Sequence, residues 1–403
     1  MFAKPAFSST RSDRQELTHI SGLRRAEGTV CTLGLLTQTS AGRFFLEDGS
    51  HSIEVDISQA RSTTGLFTEN CTVIVEGAMS QDVFIAHGLA MPPLEERSET
   101  AKFFPALAVP QDRPMYSERE AQQLVARERA DVNTDLIVLS DVWLDRPNVV
   151  NGLKHMLGKY DEMCEEAASE GEDKKLIFVM MGNFTSVATP DYAKHSAAFE
   201  ELATIIESLP NLLDSSMFIF VPGPNDVDLG GGDLLPRKAM PNSVTASFQD
   251  RIPSSEFTSS PCRIKFYTQE IVLHREDMCM TLRKHSRNPV DDGGATSLFV
   301  HAMQTVLKQG HLRPLPLHAG PIEWSFDHAL RLYPLPTVMF VGDRSERADA
   351  VIGGAKVANP GSFANDLTFY SYHPSTPVDG GYVSSISLIS SSIKNPEKRN
   401  VQP

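Results

Sequence analysis

The sequence predicts a mixed α/β (α+β) protein with two domains, a small β-barrel followed by a larger layered α/β domain. Between Leu17 and Pro92, short strand-like segments with alternating apolar and polar residues are separated by turn residues. From Leu136 onward, apolar strand-like runs alternate with amphipathic helical segments instead. The chain of 403 residues is long enough to build two separate hydrophobic cores.

The composition is that of an ordinary globular protein, with 41% hydrophobic and 22% charged residues. No apolar run approaches the roughly 18 residues of a transmembrane helix, and the start of the chain lacks the apolar region of a signal peptide. We therefore expect an intracellular protein without membrane contact. The net charge of -14 would repel nucleic-acid phosphates over most of the surface, so any DNA contact requires a local patch or partner proteins.

The five cysteines are too few and too scattered for a disulfide framework or a thiolate zinc site. Their number is odd, and no two of them form a C-x-x-C pair. The cysteines are Cys31, Cys71, Cys164, Cys262 and Cys279. We interpret them as buried free thiols.

Residues 1–17 show no periodicity and are predicted to be a flexible tail, after which residues 18–93 form the barrel. Its strands are predicted at 29–36, 44–48, 53–57, 71–77 and 83–86. The second and third strands flank a Gly-Ser turn and form a hairpin. Five short strands in this space, with a glycine in the first long one, are typical of an OB-type Greek-key barrel.

Phe44 and Phe45 are the candidate nucleic-acid contacts of this barrel, because OB barrels bind single strands by stacking bases on aromatic side chains. Four carboxylates flank the pair, and they would repel a phosphate backbone. They are Glu47, Asp48, Glu54 and Asp56. A packing or partner-binding role for the two phenylalanines is therefore favoured over DNA binding.

A Pro-Pro pair and a charged run mark a linker over residues 94–116, and the second domain is predicted to span 117–392, before a tail at 393–403. Helices are predicted at 117–129, 148–168, 190–208 and 295–309. Strands are predicted at 136–141, 176–181, 217–221 and 337–341, with a hairpin at 262–274 and an edge strand at 368–372. The Gly- and Pro-rich stretch 226–260 is predicted to be an insertion loop.

Polar residues follow the first three strands of this domain where each strand ends. Asp141 follows the first, Asn183 the second, and Asn225 and Asp226 the third. The carboxyl ends of parallel strands meet at one edge of a sheet, where α/β proteins bind ligands and metals. We therefore expect these side chains to lie together in one site.

Two-metal phosphoesterases build their sites from Asp, Asn and His residues at such strand ends. The pattern resembles the calcineurin-like phosphoesterase superfamily, whose signature runs D-x-H, G-D-x-x-D, G-N-H-D or E, a lone His, and G-H-x-H. Against that signature Asp141, Asp226 and His274 are retained. The other ligand positions carry Trp143, Asn183, Ser186, Asn225, Asp343 and Ser345.

Only Asp141 and His274 clearly remain of the residues that would hold the two metals, and two isolated ligands cannot complete a hydrolytic site. We therefore expect no catalytic residue, no bound metal and no cofactor. Asp141 is interpreted as a carboxylate that accepts backbone N–H bonds at the turn that follows it, and His274 as a strand residue without a special role. Trp143 is expected to fill the space of the metal.

An OB barrel followed by such a degraded phosphoesterase domain resembles the B-subunit family of eukaryotic replicative DNA polymerases, in particular its polymerase epsilon branch. The similar segments occur in order along nearly the whole chain. They are residues 43–48, 139–145, 220–226, 261–264, 309–317, 331–336 and 359–363. Members of the family usually carry a small helical domain before the barrel, where this sequence has a short tail.

The resemblance implies a non-catalytic scaffold subunit in the nucleus, which holds the zinc-binding C-terminal region of the polymerase catalytic subunit. It also implies docking onto components of the replicative helicase, with only weak or indirect contact to DNA. Two alternatives remain open. One is an active metal-dependent phosphodiesterase or exonuclease that uses Asp141, Asp226 and His274, and the other is a single-strand DNA-binding module that uses Phe44 and Phe45.

Overall fold

The structure is a computed structural model, and it describes residues 16–100, 118–188, 191–227, 233–287, 296–376 and 381–385. Parts of several predicted features lie outside these residues. They are most of the N-terminal tail, most of the linker, the glycine triplet 230–232 of the predicted insertion loop, and the C-terminal tail. No helix in the described ranges is long and apolar enough to cross a membrane.

The strands are β1 Val30–Gln38, β2 Phe44–Glu47, β3 Ser52–Asp56, β4 Arg61–Ser62, β5 Thr72–Ser80, β6 Val83–Ala90, β7 Thr134–Ser140, β8 Lys175–Met181, β9 Ser216–Val221, β10 Ser255–Phe257, β11 Cys262–Phe266, β12 Gln269–Arg275, β13 Val338–Gly342, β14 Ala348–Ile352, β15 Ala355–Asn359, β16 Thr368–Tyr372 and β17 Gly381–Ser385. The α-helices are α1 Arg97–Thr100, α2 Glu118–Ala130, α3 Pro147–Glu170, α4 Tyr192–Glu207, α5 Pro210–Ser215, α6 Asn242–Arg251, α7 Met278–His285, α8 Leu298–Gln309 and α9 Phe363–Asp366. In the described residues, 3-10 helices span Ile20–Arg25 and Trp324–Leu330.

The chain divides into two compact units. The first comprises Met1–Glu96, Met278–Gly320 and Arg331–Leu335, and the second comprises Arg97–Asp277, Pro321–Leu330 and Pro336–Pro403. Each unit contains its own cluster of buried apolar side chains, as expected for separately packed cores.

The first unit is built on the predicted OB-type barrel. Its sheet runs in the order β3-β2-β1-β5-β6-β4, and β3 also pairs in parallel with β6, which closes the sheet on itself. Inward-facing residues alternate along the strands, so that β3 reads exposed, buried, half-buried, buried, exposed. The alternation follows from the period of two residues in a strand, which is why the sequence predicted this domain.

Helices α7 and α8 belong to the barrel unit, whereas the sequence placed residues 278–320 in the second domain. Side chains of α8 bind barrel backbone: His301 Nδ1 accepts from the Gly65 N–H at 3.1 Å, and Thr305 Oγ1 accepts from the Leu66 N–H at 2.7 Å. Gln309 both accepts from and donates to the backbone of Thr72, at 2.7 and 2.9 Å. Such contacts across more than two hundred residues leave no local pattern in the sequence, so this boundary could not be predicted.

The second unit has the predicted layered α/β architecture. One sheet runs in the order β10-β9-β8-β7-β16-β17 and the other in the order β11-β12-β13-β15-β14. The strands β7 to β10 are parallel. One face of β7, β8 and β9 packs with the second sheet in a common apolar cluster, while the other face packs against α3, α4 and α6. The order of layers is therefore helices, sheet, sheet.

Two predictions within the second unit are wrong, and one hairpin was missed. The stretch 226–260 is not simply a loop, because it contains α6 and β10, and Phe248 of α6 is buried among Phe199, Phe220 and Phe257. The strand at 368–372 is not an edge strand, since β16 pairs with β7 on one side and β17 on the other. The hairpin β14–β15 was not predicted at all.

All five cysteines lie in the described residues as thiols rather than disulfides, and four of them are buried, whereas Cys262 is half-buried. Burial raises the pKa of the Cys71 thiol above its usual value, because the uncharged thiol is favoured away from water. These thiols therefore pack as small apolar side chains.

Candidate functional site at the strand tips

Asp141 lies directly after β7, whose seven residues are all buried. The residue has a φ of 56°, in the left-handed region that Asp adopts more readily than most side chains. Its carboxylate is buried, and Oδ1 accepts from the Asn183 N–H at 3.2 Å, a backbone donor that lies after β8 rather than in the turn following Asp141, where it was expected. A second donor reaches the same oxygen, the guanidinium of Arg275 at 2.8 Å.

The Arg275 side chain is fully buried at the end of β12, and its guanidinium ties three strand ends together. Nε donates to the carbonyl of Gly182 at 2.6 Å, and Nη1 donates to the carbonyl of Gly342 at 3.0 Å. Nη1 and Nη2 also donate to the carboxylates of Asp277 and Asp141, at 2.9 and 2.8 Å. The positively charged guanidinium of Arg275 is thus held in a fixed position among these carboxylates and carbonyls.

Arg275 keeps its positive charge in this buried position. Burial lowers the pKa of Arg275, but the nearby carboxylates of Asp141 and Asp277 outweigh it, so the pKa is raised above the ordinary value of arginine. Sequence reasoning missed Arg275, although it follows the singled-out His274 directly. A charged residue at the end of a strand with an apolar centre was the available signal.

Asp141 and His274 were predicted to be the surviving metal ligands, but the structure does not bring them together. Ile271 and Leu273 of β12 face the first sheet. Because side chains alternate along a strand, Arg275 faces the same way and His274 faces the opposite way. His274 is buried there, with Nδ1 at 3.3 Å from Ser260 Oγ.

Asp226 and Asn183 lie close to Asp141, but backbone N–H groups occupy their oxygens. The carboxylate of Asp226 accepts from the Phe184 N–H at 2.7 Å and from the Gly223 N–H at 2.8 Å. Oδ1 of Asn183 accepts from the Asn225 N–H at 2.8 Å. We refer to Asp141, Asn183, Asp226 and Arg275 together as the strand-tip network.

The strand-tip network is tightly packed. A Cβ on Gly182 would lie 1.9 Å from Oδ2 of Asp226, and a Cβ on Gly223 would lie 2.5 Å from Oδ1 of Asn183. Both distances are far below van der Waals contact, so only glycine fits at these two positions. The network therefore fills its site with protein atoms.

A buried histidine adjoins Asp226. His195 of α4 has Nε2 at 3.8 Å from Oδ1 of Asp226, and its Nδ1 lies 3.0 Å from the carbonyl of Asp191. Burial lowers the pKa of His195, but its interactions with the Asp226 carboxylate and the Asp191 carbonyl outweigh it, and the pKa is raised. No element of the sequence pattern had singled out this residue.

The remaining predicted site residues shape loops. Ser186 donates through its N–H and its Oγ to the carboxylate of Asp145, both at 2.8 Å. Asp343 accepts from the Ser345 N–H at 2.7 Å, and Nδ2 of Asn359 donates to the carbonyl of Asp343 at 3.1 Å. These contacts hold the loops that follow β8 and β13 in fixed conformations.

Trp143 is not the group that contacts Asp141, contrary to the expectation that its indole fills the metal space. The indole packs against the apolar cluster on the helix side of the first sheet. The position beside Asp141 is taken by the Arg275 guanidinium. A cation rather than an aromatic ring therefore compensates this carboxylate.

A second buried arginine supports the first. Arg237 donates through Nη1 to the carbonyl of Arg275 at 2.8 Å and forms an ion pair with Glu276. Its backbone also exchanges hydrogen bonds with Ser260, at 2.8 and 3.0 Å. The segment that carries Arg275 is thus fixed from both sides.

The residues at the strand tips do not fit a metal pair. Within the described ranges, no three or more of His, Cys, Asp and Glu are grouped so that they could hold an ion. Asp141 already pairs with a guanidinium, and both oxygens of Asp226 accept backbone N–H bonds. A divalent cation next to Arg275 would be repelled by it.

In the barrel, Phe44 and Phe45 do not form one stacking surface. Phe44 is packed against the barrel core, while Phe45 pairs across the strands with Glu54 and lies under the Arg43 guanidinium at 6.0 Å. Neighbouring residues of a strand face opposite sides, so the two rings cannot stack successive bases together. Arg43 is itself paired with Glu54 at 3.0 Å.

Comparisons with known proteins agree with this architecture. Residues 136–349 match the family described as the B subunit of DNA polymerases alpha and epsilon, and residues 1–93 match the OB-fold domain of DNA polymerase epsilon subunit 2-like proteins. A solved archaeal phosphodiesterase covers 62% of this chain and 98% of its own, at 13% identity and a TM-score of 0.29, which is too low to carry an argument.

Two curated relatives align with most of the chain. The B subunit of DNA polymerase epsilon from Arabidopsis thaliana is 37% identical over 388 residues, covering 93% of this chain and 70% of its own. DNA polymerase epsilon subunit 2 of Bos taurus is 34% identical over 381 residues, covering 93% and 69%. With both domains matched and identity sustained over nearly its whole length, the chain belongs to the family of DNA polymerase epsilon B subunits.

Proposed function

We propose that this protein is a non-catalytic accessory subunit of a nuclear DNA polymerase epsilon. Its role is to bind the zinc-binding C-terminal region of the catalytic subunit and to support replication initiation and leading-strand synthesis. The proposal further includes contacts with components of the replicative helicase. DNA itself would be contacted weakly or through these partners, in keeping with the net charge of -14.

The observation that carries the absence of catalysis is the Arg275–Asp141 ion pair. Two-metal hydrolysis needs carboxylates that are free to bind cations and to orient a water nucleophile. Here a permanently charged guanidinium lies 2.8 Å from the one carboxylate that the first strand supplies. A residue of the chain, rather than an ion from solution, therefore supplies the positive charge that this carboxylate needs.

An active metal-dependent phosphodiesterase or exonuclease is the less favoured alternative. It would use Asp141, Asp226 and His274 as ligands. Asp141 is paired with Arg275, Asp226 is bound by two backbone N–H groups, and His274 faces the opposite side of its sheet from Arg275. These placements favour a scaffold over a hydrolase.

A metal and hydrolysis measurement on the purified protein tests the absence of catalysis. We expect elemental analysis to find no stoichiometric Mn or Zn, and we expect no Mn-dependent hydrolysis of a phosphodiester such as bis(p-nitrophenyl) phosphate. One or two bound metals, with hydrolysis abolished by Asp141→Ala, would contradict the proposal.

A co-expression experiment tests the accessory role. The chain is produced together with the catalytic subunit encoded in the same genome, and the complex is isolated through a tag on either chain. We expect a stable one-to-one complex. Failure of the wild-type chain to bind the catalytic subunit would remove the proposed function.

A further inference from the structure

Two large aromatic side chains of the second unit are exposed within one short helix. Trp324 is 65% exposed and Phe326 is 45% exposed, and both belong to the 3-10 helix Trp324–Leu330. Trp324 is one of only two tryptophans in the chain. Adjacent exposed aromatic rings on a protein surface are characteristic of binding sites, since covering them removes much apolar area from water.

The backbone that carries these rings is held in place. Leu235 donates to the carbonyl of Pro321 at 3.3 Å, and the N–H of Glu323 donates to the carbonyl of Leu235 at 2.9 Å. At the other end Leu330 is completely buried. Residues 323–328, which we refer to as the aromatic turn, therefore present their rings from a fixed support, and little order has to be gained on binding.

The charges around the rings indicate the chemistry of the occupant. The carboxylates of Glu323 and Asp327 lie on either side of the pair in the sequence. Arg263, whose guanidinium reaches the carbonyl of Ala329, is already paired with Glu270. An apolar surface with acidic flanks favours a partner segment that combines apolar and basic side chains.

We propose that the aromatic turn is a docking site for a basic, apolar segment of the polymerase catalytic subunit. This inference rests on the proposed function, and it adds which surface of the second unit supplies the anchors. Trp324 and Phe326 insert into the partner, and Glu323 pairs with one of its Lys or Arg side chains. Interface anchors are enriched in tryptophan and lie where neighbouring residues exclude water, which matches a tryptophan beside a second ring.

The test measures the affinity of the purified chain for the catalytic subunit from the same genome. We expect Trp324→Ala/Phe326→Ala to weaken binding by about 30-fold, the size of a loss at interface anchor positions. Val132→Ala is the matched control, since Val132 is also 65% exposed in the second unit, and we expect its affinity to be unchanged. Circular dichroism and thermal unfolding establish that each variant is folded.

A charge reversal tests the chemistry of the partner. We expect Glu323→Lys to weaken binding several-fold, with the difference from wild type shrinking as salt is raised. Unchanged or tighter binding by Glu323→Lys would overturn the assignment of a basic partner. Wild-type affinity of the double alanine variant would overturn the docking site.

Other occupants give distinct results. If a second copy of this chain covers the aromatic turn, sedimentation will show a dimer that the double variant loses, and the proposal is wrong. Binding of single-stranded oligonucleotide that disappears in the same variant would equally overturn it. If the wild-type chain does not bind the catalytic subunit at all, the proposed function fails, whereas binding that the variant retains removes only this docking site.

Discussion

The strand-tip network and the aromatic turn belong to the same unit but place charged and apolar groups in opposite ways. The network buries a guanidinium and the carboxylate beside it, and satisfies them with each other and with backbone groups. The turn exposes a tryptophan and a phenylalanine that a core would normally cover. In the network, ionic groups fix the strand ends inside the fold, whereas in the turn two large apolar groups remain at the surface.

This arrangement differs from that of a hydrolase, in which charged groups at the strand tips remain accessible to metal and substrate. A buried ion pair contributes little net stability compared with apolar packing, but removing one partner is costly. The strand-tip network should therefore be sensitive to single substitutions, whereas the aromatic turn should tolerate them. Five experiments test this difference, in order of decreasing expected effect.

Arg275→Ala should have the largest effect on stability. It leaves the buried Asp141 carboxylate without its cation and the carbonyls of Gly182 and Gly342 without a donor, so we expect a loss of about 3–5 kcal/mol in the free energy of unfolding. Chemical denaturation measures it. Arg251→Ala is the control, because Arg251 pairs with Glu200 and Glu207 near the surface, and its effect should be much smaller.

A second substitution at Arg275 distinguishes the effect of losing its charge from the effect of losing its packing. Combining Arg275→Met with Asp141→Asn removes both charges while keeping a residue that tolerates the left-handed backbone at position 141. We expect the double variant to be more stable than Arg275→Met alone. If the double variant is no more stable than Arg275→Met alone, the loss of stability arises from packing rather than from an uncompensated carboxylate.

Gly223→Ala should destabilise the protein by about 1–3 kcal/mol, because its new Cβ would lie 2.5 Å from Oδ1 of Asn183. Gly158→Ala is a control for which we expect the opposite effect on stability. No atom lies within 4 Å of a Cβ built on Gly158, which is inside helix α3, and the substitution should stabilise by about 0.5–1 kcal/mol. Thermal unfolding of both variants measures these effects, and a harmless Gly223→Ala would contradict the tight packing described for the network.

The pair formed by His195 and Asp226 should make stability depend on pH. Because the folded-state pKa of His195 is raised above about 6.5, its contribution is fully present below that pH and is lost as pH rises through the folded pKa. The free-energy difference between wild type and His195→Gln should therefore fall from pH 6 to pH 9. A difference that stays constant across this range would show that His195 does not gain a proton on folding.

Substitution of the aromatic turn should have the smallest effect on the isolated chain. Trp324→Ser/Phe326→Ser is expected to change the free energy of unfolding by less than about 0.5 kcal/mol, since both side chains are largely exposed. Denaturant unfolding measures the change. A loss above about 1 kcal/mol would mean that the rings contribute to the core, and the contrast with the strand-tip network would disappear.

Much of the fold could be predicted because it depends on local periodicity. The alternation of the barrel strands and the helical spacing of residues in α3 and α4 reflect burial of one face, which the sequence displays directly. The positions of Asp141, Asn183 and Asp226 at neighbouring strand tips follow from the parallel order of β7, β8 and β9. Helix α6 was missed because its sequence is short, polar and preceded by glycine and proline.

The sequence by itself determined the family, the two-domain architecture and the loss of most metal ligands. Only the tertiary structure decided that Arg275 supplies the charge beside Asp141, that His274 faces the other side of its sheet, and that α8 belongs to the barrel unit. Each of these depends on contacts between elements that are far apart in the chain. Periodicity constrains neighbours along the chain, whereas charge compensation and domain membership depend on neighbours in space.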